Sequence, residues 1–220
     1  MSYERLLPIA KSALIFPGPD QIVDPRLWEH TERVVDLVRR ILRAHPKETE
    51  GADSEALDCA ALFHAAGWAE QYRAGQIQRW QVLSKPTSEA QRELAASIVL
   101  ERCEGQLAAR TVRNAGDTIR LAGARVPTTV EARVLSDAEN LAEFGLLDIV
   151  RQIRMQTGEA RPLAHMLDMW KRQIEYGYWD LRIEEGLHFD SSRRVARARL
   201  AHVQTFAEAL FAEANLADFA

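Results

Sequence analysis

Three residues of this 220-residue chain combine metal-binding side chains with apolar surroundings: His30, His64 and Asp137. Two imidazoles and one carboxylate can hold Zn, Fe or Mn and leave coordination positions open for water. A metal held in that way would acidify a bound water molecule and polarise a phosphoryl oxygen. These residue types therefore indicate hydrolysis of a phosphate ester, provided that the fold brings them together.

Each of the three residues falls on the apolar face of a predicted helix, counted at about 100° per residue. His30 shares its face with Leu27 and Val34. His64 shares its face with Leu57, Ala60 and Ala61. Asp137 shares its face with Val130, Val134, Leu141 and Phe144. Three helices are thus predicted to direct one metal-binding side chain each toward the packed side of the protein.

Each of these residues also has a purely structural interpretation. A single histidine on an apolar face is commonly a core residue whose ring is satisfied by hydrogen bonds. An inward aspartate is harder to explain, because an unpaired buried carboxylate is costly. Arg133, on the adjoining edge of the same helix as Asp137, is a candidate partner. Spacing alone leaves the site and the core interpretations open.

The chain as a whole predicts an all-α fold, a single-domain helical bundle. Stretches rich in Ala, Leu, Arg and Glu repeat their apolar positions at intervals of three and four, and alternating strand patterns are missing. No internal repeat or Gly/Ser-rich linker divides residues 1–220. Helices are predicted over 2–13, 25–45, 53–66, 88–104, 107–121, 128–144, 145–157, 162–177 and 191–217.

Composition and charge narrow the range of partners. The net charge of −4 argues against a general nucleic-acid binder. The longest uncharged apolar segment, about residues 60–69, is too short to span a bilayer, so we expect no membrane partner. Cys59 and Cys103 both lie in apolar helical patterns, which indicates reduced core thiols and a cytoplasmic protein.

Three segments, in order, resemble the HD-domain superfamily of metal-dependent phosphohydrolases: WEHTERVVDL, AALFHAAGW and EARVLSDAENLAEFG. His30 matches the first histidine of that family, His64 the second, and Asp137 the later aspartate. The resemblance covers about residues 25–146, and C-terminal helices would complete the bundle. It implies an HD-type fold in which His30, His64 and Asp137 are the metal ligands.

The chain departs from the family directly after His64. The family has a His-Asp pair where this chain has His64 and Ala65, and a methyl group cannot ligate a metal. Glu139 and Ala142 also stand where the family often has aspartates. We therefore expect a divalent metal (Zn, Mn, Fe or Mg) to be held weakly or not at all.

Two functions follow from the resemblance. The first is a divergent metal-dependent phosphohydrolase that acts on a small phosphorylated metabolite or nucleotide, with Arg33, one turn beyond His30, contacting phosphate. Arg33 has an alternative interpretation as a surface arginine whose stem covers the core. The second function is that of a non-catalytic descendant that keeps the pocket for ligand sensing or protein contact. Ala65 favours the second function, and the inward trio favours the first.

Overall fold

The computed structural model describes residues 2–17 and 23–219, and these residues are predominantly helical. The helices are α1 (Ser2–Leu14), α2 (Arg26–Ala44), α3 (Ser54–Phe63), α4 (Ala66–Arg73), α5 (Glu89–Arg102), α6 (Ala109–Ala122), α7 (Val130–Ala142), α8 (Leu146–Gly158), α9 (Leu163–Glu175), α10 (Tyr178–Gly186) and α11 (Asp190–Ala214). Short 3₁₀ helices cover Arg79–Gln81 and Ala217–Phe219. The predicted all-α class is confirmed.

Two helices and one short strand pair are absent from the sequence prediction. Strands β1 (Phe16–Pro17) and β2 (Val23–Asp24) pair antiparallel just before α2. The helix predicted over 53–66 ends at Phe63, and α4 follows after a turn. Gly67, a poor helix former, lies in the first turn of α4, because a Cβ atom there would come within 2.0 Å of the Gln91 carbonyl oxygen of α5. Close packing between two helices outweighs local propensity at this position.

The helices after α8 follow the predicted pattern with one addition. Gly177 takes a left-handed backbone conformation (φ 60°) that ends α9 and allows α10 to begin in a new direction. The sequence prediction has no helix over α10. Thr129 caps α7, since its side chain accepts a hydrogen bond from the Ala132 amide at 3.2 Å.

The largest buried apolar cluster is formed by helices α1 to α7. A second cluster joins the end of α7 to α10 and α11, and a third lies between α8, α9 and α11. Helix α7 packs against α2, α3, α6, α10 and α11. Its position between the two parts of the protein explains why most of its side chains are buried.

Two smaller expectations concern the thiols and the bilayer. Cys59 and Cys103 are free and buried, with their sulfur atoms 3.7 Å apart, as expected for reduced core residues. Over residues 2–17 and 23–219, none of the helices combines the length and the apolar character that a bilayer crossing requires.

Candidate functional site

The structure brings the two predicted histidines into contact. His30 lies on α2 and His64 follows the last residue of α3, and both are buried. Their ring centroids are 5.2 Å apart, with the ring planes tilted by 49°. The two histidines, 34 positions apart in the sequence, therefore form one buried imidazole pair.

His64 has a defined proton and a free lone pair. Its Nδ1 lies 2.8 Å from the Ala61 carbonyl oxygen, which can only accept, so Nδ1 carries the proton. Nε2 then presents a lone pair, and it is buried without a hydrogen-bond partner in the described part of the chain. Burial lowers the pKa of His64 and outweighs the nearby Glu139 carboxylate, which raises it. The ring is therefore neutral at pH 7.

His30 is neutral for a related reason. Burial lowers its pKa well below 6.5, and the neighbouring His64, Arg33 and Arg151 lower it further. Three positively charged or protonatable neighbours thus surround a ring that is itself only 4% exposed. The surroundings of His30 already repel a proton, so this side of the pair favours negative charge.

Asp137 is buried, as predicted, but it is bound elsewhere. Its two carboxylate oxygens accept hydrogen bonds from the backbone amides of His188 at 2.7 Å and Phe189 at 3.0 Å, just before α11. Burial raises the pKa of this carboxyl, and the two amides act against that shift. Asp137 thus anchors the start of α11 to α7, and Arg133, the partner considered above, is exposed.

The expected convergence of all three side chains is therefore not observed. Within the described ranges, no group of three His, Cys, Asp or Glu side chains is placed to hold a metal ion. Helical phase predicted correctly that Asp137 points inward. Because α7 is packed on several sides, however, an inward residue can meet any of several neighbours, and the Asp137 carboxylate binds the segment just before α11.

The carboxylate beside His64 belongs to Glu139, and an arginine binds it. Arg92 of α5 donates to both Glu139 oxygens, through Nη1 at 3.1 Å and through Nη2, and Nη1 also donates to the Ile119 carbonyl at 3.2 Å. Both partners are buried. Ala65 is fully buried at the position before α4. The region around His64 is therefore closed by apolar packing and a paired charge.

A second buried ion-pair cluster lies on the His30 side. Arg151 of α8 donates through Nη1 to Glu143 at 3.2 Å and through Nε to Asp148 at 2.8 Å. Burial raises the pKa of Glu143, whereas Arg151 and Arg182 lower it. This cluster borders an open cleft, and the Arg92–Glu139 pair borders another cavity, of about 410 Å³, through Arg92.

The cleft beside His30 has a volume of about 210 Å³ and is rich in arginine. Four arginines line it, two from α2 and two from α8: Arg26, Arg33, Arg151 and Arg154. Three carboxylates also line it: Glu29, Glu143 and Asp148. The predicted phosphate contact, Arg33, therefore does border a cavity next to His30, although it is also exposed.

The four arginines differ in how far their charge is already neutralised. Arg151 is held by two carboxylates, and Arg26 is bound to Asp24 through Nε at 2.9 Å and Nη2 at 2.6 Å. Burial alone raises the pKa of Asp24, but hydrogen bonds from Arg26 and Arg79 lower it to about 2. These pairs hold the wall of the cleft in place.

Arg33 and Arg154 have no carboxylate partner among the described residues. The Nε atom of Arg154 is buried without a hydrogen bond in the structure as described. Burial lowers the pKa of Arg154 and the nearby Arg26 and Arg151 lower it further, while the Asp24 carboxylate acts in the opposite direction. A partly buried guanidinium that lacks an acceptor and faces other cations is a natural anion-binding group.

Sequence reasoning missed Arg26, Arg92, Arg151 and Arg154. A signal for the cleft is present in the spacing, because Arg26 and Arg33 are two turns apart on α2 and Arg151 and Arg154 one turn apart on α8. No signal in the sequence indicates that α2 and α8 face each other. Neither a family model nor a curated protein nor a solved structure matches the chain.

Proposed function

We propose that this chain is a non-catalytic binding protein that holds the phosphate group of a small ligand in the cleft beside His30. The observation that carries the proposal is the convergence of four arginines on one cleft, two of which, Arg33 and Arg154, have no carboxylate partner. A phosphate would supply the missing acceptors, since its oxygens match the planar guanidinium fork.

The charges around the cleft support an anionic ligand. Arg151 binds both buried carboxylates that border the cleft, Arg182 lies 3.9 Å from Glu143 as a second cation, and Asp24 binds Arg26. His30 is neutral and adjoins Arg33, so it provides an N–H or a lone pair without adding a charge. Arg33 and Arg154 are the two lining arginines whose positive charge is not bound by a carboxylate in the described structure. The exposed Glu29 is the remaining negative charge in the lining of the cleft.

The histidine pair does not supply a metal centre of the expected kind. Two imidazoles are present, but Asp137 binds the start of α11 and Glu139 binds Arg92. Structural and catalytic zinc sites use at least three protein ligands. The ligand set therefore does not fit a resident divalent metal, and this favours the non-catalytic descendant over the hydrolase within the HD-type resemblance.

A metal-dependent phosphohydrolase is the second candidate, and one observation favours it. The His64 ring donates Nδ1–H to a backbone carbonyl and presents an unpartnered Nε2, which is the arrangement that orients metal-binding histidines. Elemental analysis of protein purified without chelator separates the two candidates. Stoichiometric Zn, Mn or Fe that survives dialysis would favour the hydrolase.

Calorimetric titration with inorganic phosphate and with glycerol phosphate tests the binding proposal. We expect saturable binding that weakens about tenfold in Arg154→Gln and in Arg33→Gln, since a charge-assisted hydrogen bond contributes about 1.5–3 kcal/mol. Arg43→Gln is the matched control, because Arg43 is exposed on α2 and does not line the cleft. Equal weakening in the control, or no binding by the unaltered protein, would overturn the proposal.

A further inference from the structure

We infer that the ligand is an aliphatic phosphomonoester rather than a nucleotide, and that its hydrocarbon part lies on an exposed apolar stripe of α8. The stripe is defined by Leu146, Leu147, Val150 and Ile153. The inference rests on the proposed function, because it assumes that the phosphate occupies the arginine-lined cleft. It adds the chemical class of the part of the ligand that the arginines do not bind.

The size of the cleft leaves the body of the ligand outside it. Pockets that enclose drug-sized ligands have volumes of roughly 300–1,000 Å³. The cleft beside His30, at about 210 Å³, is smaller. It can take a phosphate and the first atoms attached to it, and the remainder must lie along the rim.

The rim of the cleft is apolar beside Arg154, which has no carboxylate partner among the described residues. Leu147 and Val150 line the cleft and are 54% and 60% exposed. At about 100° per residue, Arg154 falls between these two side chains on the surface of α8. Leu146 and Ile153 continue the apolar surface on the far side of Val150. An anion held by Arg154 therefore has exposed hydrocarbon immediately beside it.

A cluster of four large exposed aliphatic side chains on one helix face is unusual for a surface. Single exposed apolar residues are common, but contiguous apolar patches mark binding sites. Leu83 and Ala142 extend the aliphatic character to the opposite wall of the cleft. Contact with a hydrocarbon chain would cover this apolar surface. The phosphate at one end of that ligand would lie at the arginines, because their charges are complementary.

The lining does not suit a nucleoside. Bases are usually bound by stacking on aromatic rings. No Phe, Tyr, Trp, Ser, Thr, Asn or Gln is among the described residues that line the cleft. Apart from His30, which is only 4% exposed, base edges and ribose hydroxyls would thus meet aliphatic or charged side chains.

Titration with a series of soluble phosphomonoesters tests the inference: inorganic phosphate, methyl phosphate, butyl phosphate, hexyl phosphate and adenosine monophosphate. We expect affinity to rise by about two- to fourfold per methylene, the upper figure being that of a fully buried CH₂. Adenosine monophosphate should bind no more tightly than methyl phosphate. Adenosine monophosphate binding more tightly than hexyl phosphate would overturn the inference.

Leu146→Asn and Ile153→Asn should reduce the dependence on chain length and leave the affinity for inorganic phosphate unchanged, because neither residue lines the cleft. Leu163→Asn is the matched control, because Leu163 is 54% exposed on α9 and does not line the cleft. Phosphate binding without any dependence on chain length would overturn this inference and leave the proposed function intact. No binding of inorganic phosphate would remove both.

Two further outcomes would identify another occupant of the stripe and overturn the inference. If Val150→Asn dissociates an oligomer measured by sedimentation, a second copy covers α8. If the protein sediments with vesicles containing phosphatidic acid while soluble esters show no dependence on chain length, the stripe contacts a bilayer instead.

Discussion

Two buried glutamates lie one turn apart, Glu139 in the last turn of α7 and Glu143 directly after it, and their surroundings differ. Glu139 is bound by Arg92 beside His64, and both side chains are buried. Glu143 is bound by Arg151 beside His30, at the wall of an open cleft. Each carboxylate thus has an arginine from a different helix, and each pair adjoins a cavity. The arginines of the cavity at Arg92 all have a carboxylate partner, whereas two arginines of the cleft beside His30 have none among the described residues.

The difference between the two pairs shows what makes buried charge available for binding. At Glu139 the arginine is saturated, because it also donates to the Ile119 carbonyl. At Glu143 the arginine is saturated too, but Arg33 and Arg154 lie nearby without a carboxylate partner in the described structure. Binding capacity therefore comes from the unpaired cations at an accessible surface and not from the number of charges. We call the Glu139 side, where each arginine has a carboxylate partner, the closed side of α7, and the Glu143 side, where Arg33 and Arg154 have none, the open side.

The largest expected effect concerns the closed side. Glu139→Leu should lower the free energy of unfolding by about 3–5 kcal/mol, because it leaves the Arg92 guanidinium buried without a counter-charge. The double variant Arg92→Met with Glu139→Leu should recover most of that loss, since an apolar pair leaves no charge unpaired. Urea unfolding measures both. A cost below 1 kcal/mol for the single variant would show that water reaches the pair, and the comparison would then fail.

The second prediction concerns the histidine pair between the two sides. Because burial lowers the pKa of His64, the folded protein resists a proton that the unfolded chain accepts below pH 6.5. Stability contributed by the neutral ring is therefore complete above pH 6.5 and falls as pH decreases, with a slope of at most about 1.4 kcal/mol per pH unit for one proton. His64→Leu should reduce the slope of the unfolding free energy against pH between about pH 6.5 and 5.5.

His202→Leu is the control for this measurement, because His202 is exposed on α11. The control should keep the slope of the unaltered protein. Identical slopes for His64→Leu and the unaltered protein would mean that His64 is solvated in solution.

A smaller effect is expected on the open side. Glu143→Gln removes a negative charge from the wall of the cleft and should tighten phosphate binding about threefold. That factor corresponds to about 0.7 kcal/mol, the interaction of two unit charges about 6 Å apart in a water-like medium. Glu32→Gln, an exposed position on α2 outside the cleft, should leave the affinity unchanged. Weaker binding in Glu143→Gln would indicate that Arg151 needs this partner to keep its position.

The smallest effect is expected when a chelator removes divalent metal from the protein. With Asp137 and Glu139 bound to other groups, the purified protein should contain well below one equivalent of Zn, Mn, Fe or Mg, and a chelator should leave its melting temperature unchanged. Elemental analysis and calorimetry measure the two quantities. A fall in melting temperature on chelation would reveal a metal site that the closed side conceals.

Most of the helices could be predicted from local sequence patterns. The apolar periodicity of α2, α5, α6 and α7 is contained in each segment, so their positions could be read within a few residues. The burial of His30, His64 and Asp137 followed from the same periodicity. Helix α4 was missed because Gly67 is a poor helix former, and its packing on α5 is a contact between distant segments.

The sequence by itself determined an all-helical chain with three inward polar residues and a histidine followed by a residue that cannot bind metal. Only the tertiary structure decided which inward residues meet. Helical phase gives a direction relative to one helix axis, whereas α7 has neighbours on several sides, so Asp137 meets the start of α11 and Glu139 meets Arg92. The cleft is likewise a product of packing, because its arginines come from α2 and α8, more than a hundred residues apart in the chain.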